Sequence, residues 1–362
     1  MAQDNDVTAK IKDVAKQVYE RIKKLKQPEL EMPIRSLSNV AYNEKEGYFK
    51  ILSKTKTRTL TASTIKTFAQ TLRMMNLSKE LIKKTDIATK REAYYVSKNW
   101  GDARFMEQPE SDSVMDDIEA MMRVNREQIG FIPEEKGGAV AGELVVIDKD
   151  GDGKRLEIDC TKFGSGAYSV PSSVEHLSFK TKAKFILAIE TSGMFERLNK
   201  HNYWKNANCI IISMGGVPTR ACRRFIRKLA DEKKIPVFVF TDGDPYGFGS
   251  IYRTLKVGSG NAAHINQYFC VPQAKFIGIT PQDIVDYKLP THPLKDVDIK
   301  KIKDLIKNDP FIKHYKPWQK ALQQMAKMKV RAEQQALAKH GLNYVIDTYL
   351  PEKIKDSKTW LP

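Results

Sequence analysis

The stretches FILAIETSG (residues 185–193) and VFVFTDGDPYG (residues 237–247) share one grammar, a short apolar run that stops abruptly at acidic and small residues. Apolar runs of this length, bounded by turn-forming residues, read as strands buried on both faces. Two more such runs, Cys209–Ser213 and Lys275–Ile279, follow the same rule, and helical stretches such as Arg220–Asp231 lie between them. From about Ala183 onward, strands therefore alternate with helices, which argues for a parallel, doubly wound sheet. Ligands of such sheets gather outside the carboxyl ends of the strands. Glu190, Asp242 and Asp244 are then aimed at one crevice if their strands are neighbours. Gly243, between the two aspartates, allows a turn tight enough to present both. Three carboxylates on one rim suit Mg2+, whose octahedron is completed by water and phosphate oxygens. The competing reading is helix capping, a role open to Thr191, Asp242 and Asp244. It explains either motif alone better than it explains both at strand ends of one α/β unit.

Upstream of this unit the periodicity changes. Val7, Ile11, Val14, Val18 and Ile22 recur at three- and four-residue spacing, an amphipathic helix with a basic opposite face. Pro28 and Pro33 break it, and residues 42–60 read as a small strand pair or irregular arm. From Thr61 to about Glu157 the order is that of a winged helix. Ile65, Phe68, Leu72 and Met75 form one helical stripe, Leu77–Ile82 a short second helix, and Ser111 caps a third bearing Val114, Ile118, Met121, Met122 and Ile129. Two β-rich runs, Glu143–Ile147 and Leu156–Ile158, then flank DKDGDG as a hairpin wing. That turn mimics an EF-hand loop, but strand-like flanks and Asp159 in place of the bidentate Glu favour a hairpin. The chain beyond Leu294 reads as helical and basic, with Trp318, Leu322 and Met325 on one face. The divisions are thus 1–60, an N-terminal helix and arm; 61–160, the winged-helix domain; 161–182, a linker; and 183–362, the parallel-sheet domain with a helical C-terminal region.

Composition narrows the function. Lys and Arg total 61 against 44 Asp and Glu, a formal charge of +17, and the first hundred residues hold 21 of the basic and 11 of the acidic side chains. Such an excess is the electrostatic footprint of a polyanion binder, although a Lys-rich solvated surface gives the same count. Cys160, Cys209, Cys222 and Cys270 show no CxxC spacing and read as reduced, buried thiols of a cytoplasmic protein. No apolar run approaches the ~20 residues of a membrane helix, and there is no signal-peptide core. GxxxxGK[ST] is absent, which argues against a P-loop, and Gly258-Ser259-Gly260 lacks the strand that a dinucleotide site needs.

Glu after the first strand and DxD after a later one match the pattern of the toprim domain of topoisomerases, primases and certain nucleases. That resemblance implies that Glu190, Asp242 and Asp244 are metal ligands or acid–base participants, with Mg2+ as the cofactor. The GGVPTR turn (residues 215–220) resembles the family's loop after the second strand and offers Arg220 to a phosphate. The segment TKREAYY (residues 89–95) resembles the signature of topoisomerase VI A subunits and the related proteins that initiate meiotic recombination. It implies that Tyr95 is the nucleophile, accompanied by Tyr94, with Arg91 one helical turn away on the same face. Without the resemblance, a Tyr-Tyr pair is more often a core aromatic and its neighbour. Lys136-Gly137 also fits a family position, as a DNA-backbone contact, and the late segment 332–337 looks family-like as well. The tyrosine precedes the acids, an order shared by this group and not by type IA or type IIA enzymes.

A fold follows from the resemblance: an α/β multidomain chain with a winged-helix (CAP-like) DNA-binding domain, then a toprim Rossmann-like parallel sheet, and helical N- and C-terminal extensions. It implies an ATP-dependent type IIB topoisomerase chain that cuts and rejoins duplex DNA as a homodimer. A separate GHKL-type ATPase B subunit would complete an A2B2 assembly, with no membrane association and a cytoplasmic, nucleoid-associated location. The N-terminal helix is a candidate docking element for that partner, and ordinary packing within its domain is the alternative. A meiotic-type break-forming protein without the ATPase partner, another toprim enzyme, or a non-catalytic DNA-binding regulator are the rival readings.

Overall fold

Apolar spacing decides the first elements of the chain. In the computed structural model, which describes residues 2–132 and 137–362, α1 (Ala2–Lys23) buries Val7, Ile11 and Val18. Ile22, expected on the same stripe, is exposed, because the helix ends at the next residue and there is no further turn to pack. Contacts divide the chain into two units, the first being Met1–Ala41, Phe49–Glu134 and Ser259–Gln267, the second Tyr42–Tyr48, Glu135–Gly258 and Tyr268–Pro362.

In the first unit, β1 (Glu29–Pro33) pairs antiparallel with β2 (Thr55–Thr59). Asp117, nearly buried, receives Arg58 from β2 at 2.8 Å and Arg35 at 3.0 Å. α2 runs unbroken over Ile65–Lys84. The separate helix expected at Leu77–Ile82 is its continuation, since no breaker intervenes and Ser78 is buried in the packed face. A left-handed Thr85 ends it, with the Asp86 N–H donating to the Leu81 carbonyl. Two-residue strands β3 (Ala88–Thr89) and β4 (Phe131–Ile132) pair in parallel and flank α3 (Lys90–Val96) and α4 (Gln108–Met122). Ser111 does not cap α4. Pro109 is tolerated in a first turn, so the helix starts earlier and Ser111 is buried within it. Val114, Met115, Ile118, Ile129 and Phe131 join Met74, Met75 and Ala93 in one core.

The second unit is built on a six-stranded sheet. Its strands are β5 (Ala139–Gly142), β8 (Tyr168–Ser169), β10 (Ile186–Ile189), β11 (Ile210–Ser213), β12 (Val237–Phe240) and β13 (Lys275–Gly278), in the order β8-β5-β11-β10-β12-β13. The last four strands of that order are parallel, as their apolar runs predict, and β10 to β12 are buried along their whole length. β5 and β8 add an antiparallel edge. A second sheet has β6 (Leu144–Lys149) between β7 (Arg155–Asp159) and β9 (Ser178–Thr181). β6 and β7 form the expected hairpin. Its DKDGDG turn is closed by Asp150, whose carboxylate accepts from the Asp152 and Lys154 N–H groups at 3.0 and 2.8 Å. This hairpin clusters with the second unit, and the stretch 161–182, expected as a linker, contributes β8 and β9. The four cysteines are buried and free. Trp318, Leu322 and Met325 are buried on one face of the helix Lys316–Met328. Among the described residues no helix is long and apolar enough to cross a membrane.

Candidate functional site

Register places the acids. β10 and β12 are parallel neighbours with Ile189 opposite Phe240, so the residues that follow, Glu190 and Thr241, leave the sheet side by side. The Glu190 N–H donates to the Phe240 carbonyl at 3.0 Å, and the Asp242 N–H donates to Glu190 Oε2 at 2.8 Å. The chain passes from β10 to β11 on one side, then crosses to β12 on the other. Glu190 therefore stands at the point where strand order reverses, where open α/β sheets bind ligands. The GGVPTR loop lies on the same rim, because the Gly216 N–H donates to the Glu190 carbonyl at 3.0 Å. Gly215 and Gly216 take φ of +67° and +91°, which L side chains rarely adopt. Thr219 then caps α5 (Arg220–Lys233), and Arg220 opens it.

Gly243 serves a different purpose from the tight turn expected of it. A Cβ there would meet the Ile279 carbonyl oxygen at 3.0 Å and its side chain at 2.9 Å, so glycine is needed for close approach. Asp244 Oδ1 accepts from the Gly247 N–H at 2.6 Å, and Asp242 Oδ1 accepts from the Gln334 N–H at 2.8 Å. Arg331 lies 3.6 Å from Asp244 Oδ2. Burial, then the charges of Asp242 and Asp244, push the Glu190 carboxyl up to about 8. Burial pushes Asp242 up to about 6, the charges of Asp244 and Glu333 adding to it while the Gln334 N–H and Arg331 oppose it.

These values describe a buried rim of mutually repelling acids, and its donors are hard oxygens of the kind Mg2+ takes. Among the described residues no three His, Cys, Asp or Glu side chains form a ready-made metal cage. Asp242 and Asp244 are each held through one oxygen by a neighbouring N–H. A cation that keeps most of its waters needs only one or two carboxylates, so the residues present fit it.

Tyr95 sits in the first unit on α3. A capping box starts that helix, Thr89 Oγ1 accepting from the Glu92 N–H at 3.1 Å and Glu92 Oε2 accepting from the Thr89 N–H at 2.7 Å. Ala93 is buried, which turns Arg91 and Tyr95 outward, and Tyr95 is 55% exposed. The Arg91 guanidinium carbon is 5.9 Å from the Tyr95 ring centroid, as helical spacing predicts. Tyr94 is anchored instead, donating to the Met106 carbonyl at 3.0 Å with Lys98 over its ring. Lys136 lies outside the described residues. Sequence alone does not single out Arg331, and its one signal for Gln334 is the family-like pattern over residues 332–337.

Three family models match in succession. "Type IIB DNA topoisomerase" covers residues 66–131, and "All-beta domain in DNA topoisomerase VI alpha subunit" covers 134–183. The third, the toprim domain common to the topoisomerase 6 A subunit and Spo11, covers 185–354. The A subunit of type 2 DNA topoisomerase 6 from Methanocaldococcus jannaschii is 56% identical, across 98% of this chain and 95% of that protein. The chain belongs to the topoisomerase VI A-subunit family. Relatives of the same name from Methanothermobacter thermautotrophicus and Pyrococcus abyssi are 35% and 37% identical, over 96% and 97% of this chain and 96% and 94% of their own lengths. The family's toprim model begins at the first residue of FILAI and contains all three acids. Its all-beta model covers the hairpin and the strands of 161–182, in agreement with their clustering in the second unit.

Proposed function

We propose that this chain is the DNA-cleaving and rejoining component of an ATP-dependent type IIB topoisomerase, working through Tyr95. The observation that carries this reading is an exposed phenol, held on a short capped helix beside Arg91, in a chain whose parallel sheet ends in a buried acidic rim. Residues 61–160 act as the winged-helix (CAP-like) reader of duplex DNA, its helices lying in the first unit and the hairpin expected as its wing in the second, with the N-terminal residues 1–60 as the candidate partner-docking arm. Lys136 and Arg220 contact the DNA backbone.

In the reaction, Tyr95 Oη attacks a backbone phosphorus. A 5′-phosphotyrosyl bond forms, the bond from phosphorus to the 3′ oxygen breaks, and the phenolic proton is balanced by the one taken up at the new 3′-hydroxyl. Reversal reseals the strand without any external energy source, because one phosphoester is exchanged for another. A free phenol with a pKa of about 10 is a poor nucleophile at neutral pH. Arg91, one helical turn away, holds the scissile phosphate beside the attacking oxygen. Glu190, Asp242 and Asp244 would hold Mg2+, which when bound offsets charge developing on the leaving oxygen. One nucleophile per chain calls for a homodimer to cut both strands, and a GHKL-type B subunit in an A2B2 assembly would couple strand passage to ATP.

The test mixes the protein with its ATPase partner, ATP, Mg2+ and supercoiled plasmid, then quenches with detergent. Protein-linked linear DNA is the expected product, abolished in Tyr95→Phe. An equal yield from that variant ends the nucleophile assignment.

A further inference from the structure

The acidic rim is held from outside the sheet by one short segment, residues 331–334. Ala332 forms an antiparallel bridge with Gly243, the Gly243 N–H donating to the Ala332 carbonyl at 2.8 Å and the Ala332 N–H returning to Gly243 at 3.2 Å. The Gln334 side chain is fully buried and both its polar atoms are used. Nε2 donates to the Phe240 carbonyl at 3.0 Å, and Oε1 accepts from Thr191 Oγ1 at 2.9 Å. Its backbone N–H holds Asp242 Oδ1 at 2.8 Å. A single residue thus ties together the end of β12, the first aspartate, and the threonine that follows Glu190.

Arg331 is bound differently. Its pairing with Asp244 is 3.6 Å long, while its Nε is buried with no hydrogen-bond partner among the described residues. A guanidinium with a buried, unused N–H has not reached its best partner, since fork-shaped bidentate pairing with an oxyanion is the geometry it favours. Its loose hold is on Asp244 Oδ2, the other oxygen of that carboxylate being taken by the Gly247 N–H.

We propose that residues 331–334 are the positioning element of the acidic rim, Gln334 fixing Asp242 and Arg331 standing as the counter-ion of Asp244 until a divalent cation takes over that charge. On this account the guanidinium and the cation compete for one carboxylate, and the arginine released by the cation is free to pair with a DNA phosphate. This rests on the metal role proposed above for the acids, and the test separates the two.

Mn2+ binding to the full chain without DNA, read from the loss of the free-ion signal in electron paramagnetic resonance, reports on the rim independently of cleavage. Removing a competing, partly exposed charge in Arg331→Met should tighten Mn2+ binding about three- to fivefold. Arg331→Lys should return it to the parent value, which a merely structural role would not do. Gln334→Ala keeps the N–H that Asp242 accepts but removes the side-chain bonds to Phe240 and Thr191 that hold it in place, so it should weaken binding. Unchanged or weaker binding in Arg331→Met overturns the counter-ion role, and unchanged binding in Gln334→Ala overturns the fixing role. Arg331→Gln replaces the methionine variant if the latter melts early. If Glu190→Gln and Asp242→Asn bind Mn2+ as well as the parent, the metal reading itself falls. If they bind poorly while Arg331→Met is unchanged, only the counter-ion role is lost.

Discussion

Cation binding at this rim should expel protons, and the structure sets how many. With Glu190 pushed up to about 8 and Asp242 to about 6, the metal-free protein at pH 7 holds about 0.9 proton on the first and about 0.1 on the second. A divalent cation needs both carboxylates ionised. Its binding should therefore release about one proton at pH 7, about 1.5 at pH 6 and about 0.1 at pH 9. Calorimetric titration with Mg2+ in two buffers of different ionisation enthalpy measures this release at each pH. In Glu190→Gln the pH 7 release should fall to about 0.1, the share left to Asp242. A release near zero at pH 7, or one that does not change between pH 7 and pH 9, would refute the claim that burial and mutual repulsion store a proton on this rim.

Other consequences concern stability. Glu190 ionises near 4.5 when unfolded and near 8 when folded, so the stability it confers is present below 4.5 and is lost as pH rises through 8. Glu190→Gln mimics the protonated form. In metal-free protein its advantage over the parent should be roughly 4 kcal/mol larger at pH 9 than at pH 5, and urea midpoints showing the same difference at both values would contradict this. Thr89→Ala breaks the capping box of the tyrosine helix and should cost about 1 kcal/mol, seen as a lower urea midpoint. An unmoved midpoint means that the cap is idle. Lys353 and Asp283 form a buried pair at 2.9 Å, to which Tyr349 also donates. Lys353→Met should cost about 3–5 kcal/mol by stranding Asp283, and adding Asp283→Asn should recover part of the loss. A single variant as stable as the parent would contradict this.

What can be read from sequence follows from how each element is stabilised. Strands buried on both faces need uninterrupted apolar residues, so Ile186–Ile189 and Val237–Phe240 announce themselves, and the acids that end them mark the rim. The edge strands Ala139–Gly142 and Tyr168–Ser169 do not. They are short, one is small-residue-rich, and their few buried side chains, Val140, Ala141 and Tyr168, make no continuous apolar run, so that 161–182 reads as a linker. The continuity of α2 is hidden because Asn76 and Ser78 look like a break, although Ser78 is buried without interrupting the backbone ladder. Arg91 and Tyr95 are legible because helical spacing sets their proximity. Arg331 and Gln334 act on residues about ninety positions away through one bridge, and no local pattern encodes such a meeting.

One oxygen atom, Tyr95 Oη, is the proposed point of attachment to DNA. If DNA trapped by detergent on the assembled enzyme is digested to nucleotides and the protein is cleaved to peptides, mass spectrometry locates the covalent link. The expected product is a nucleotide joined through its 5′-phosphate to the peptide containing Tyr95, with fragmentation placing it on that side chain. A link on Tyr94 or on any other residue, or through a 3′-phosphate, would contradict it.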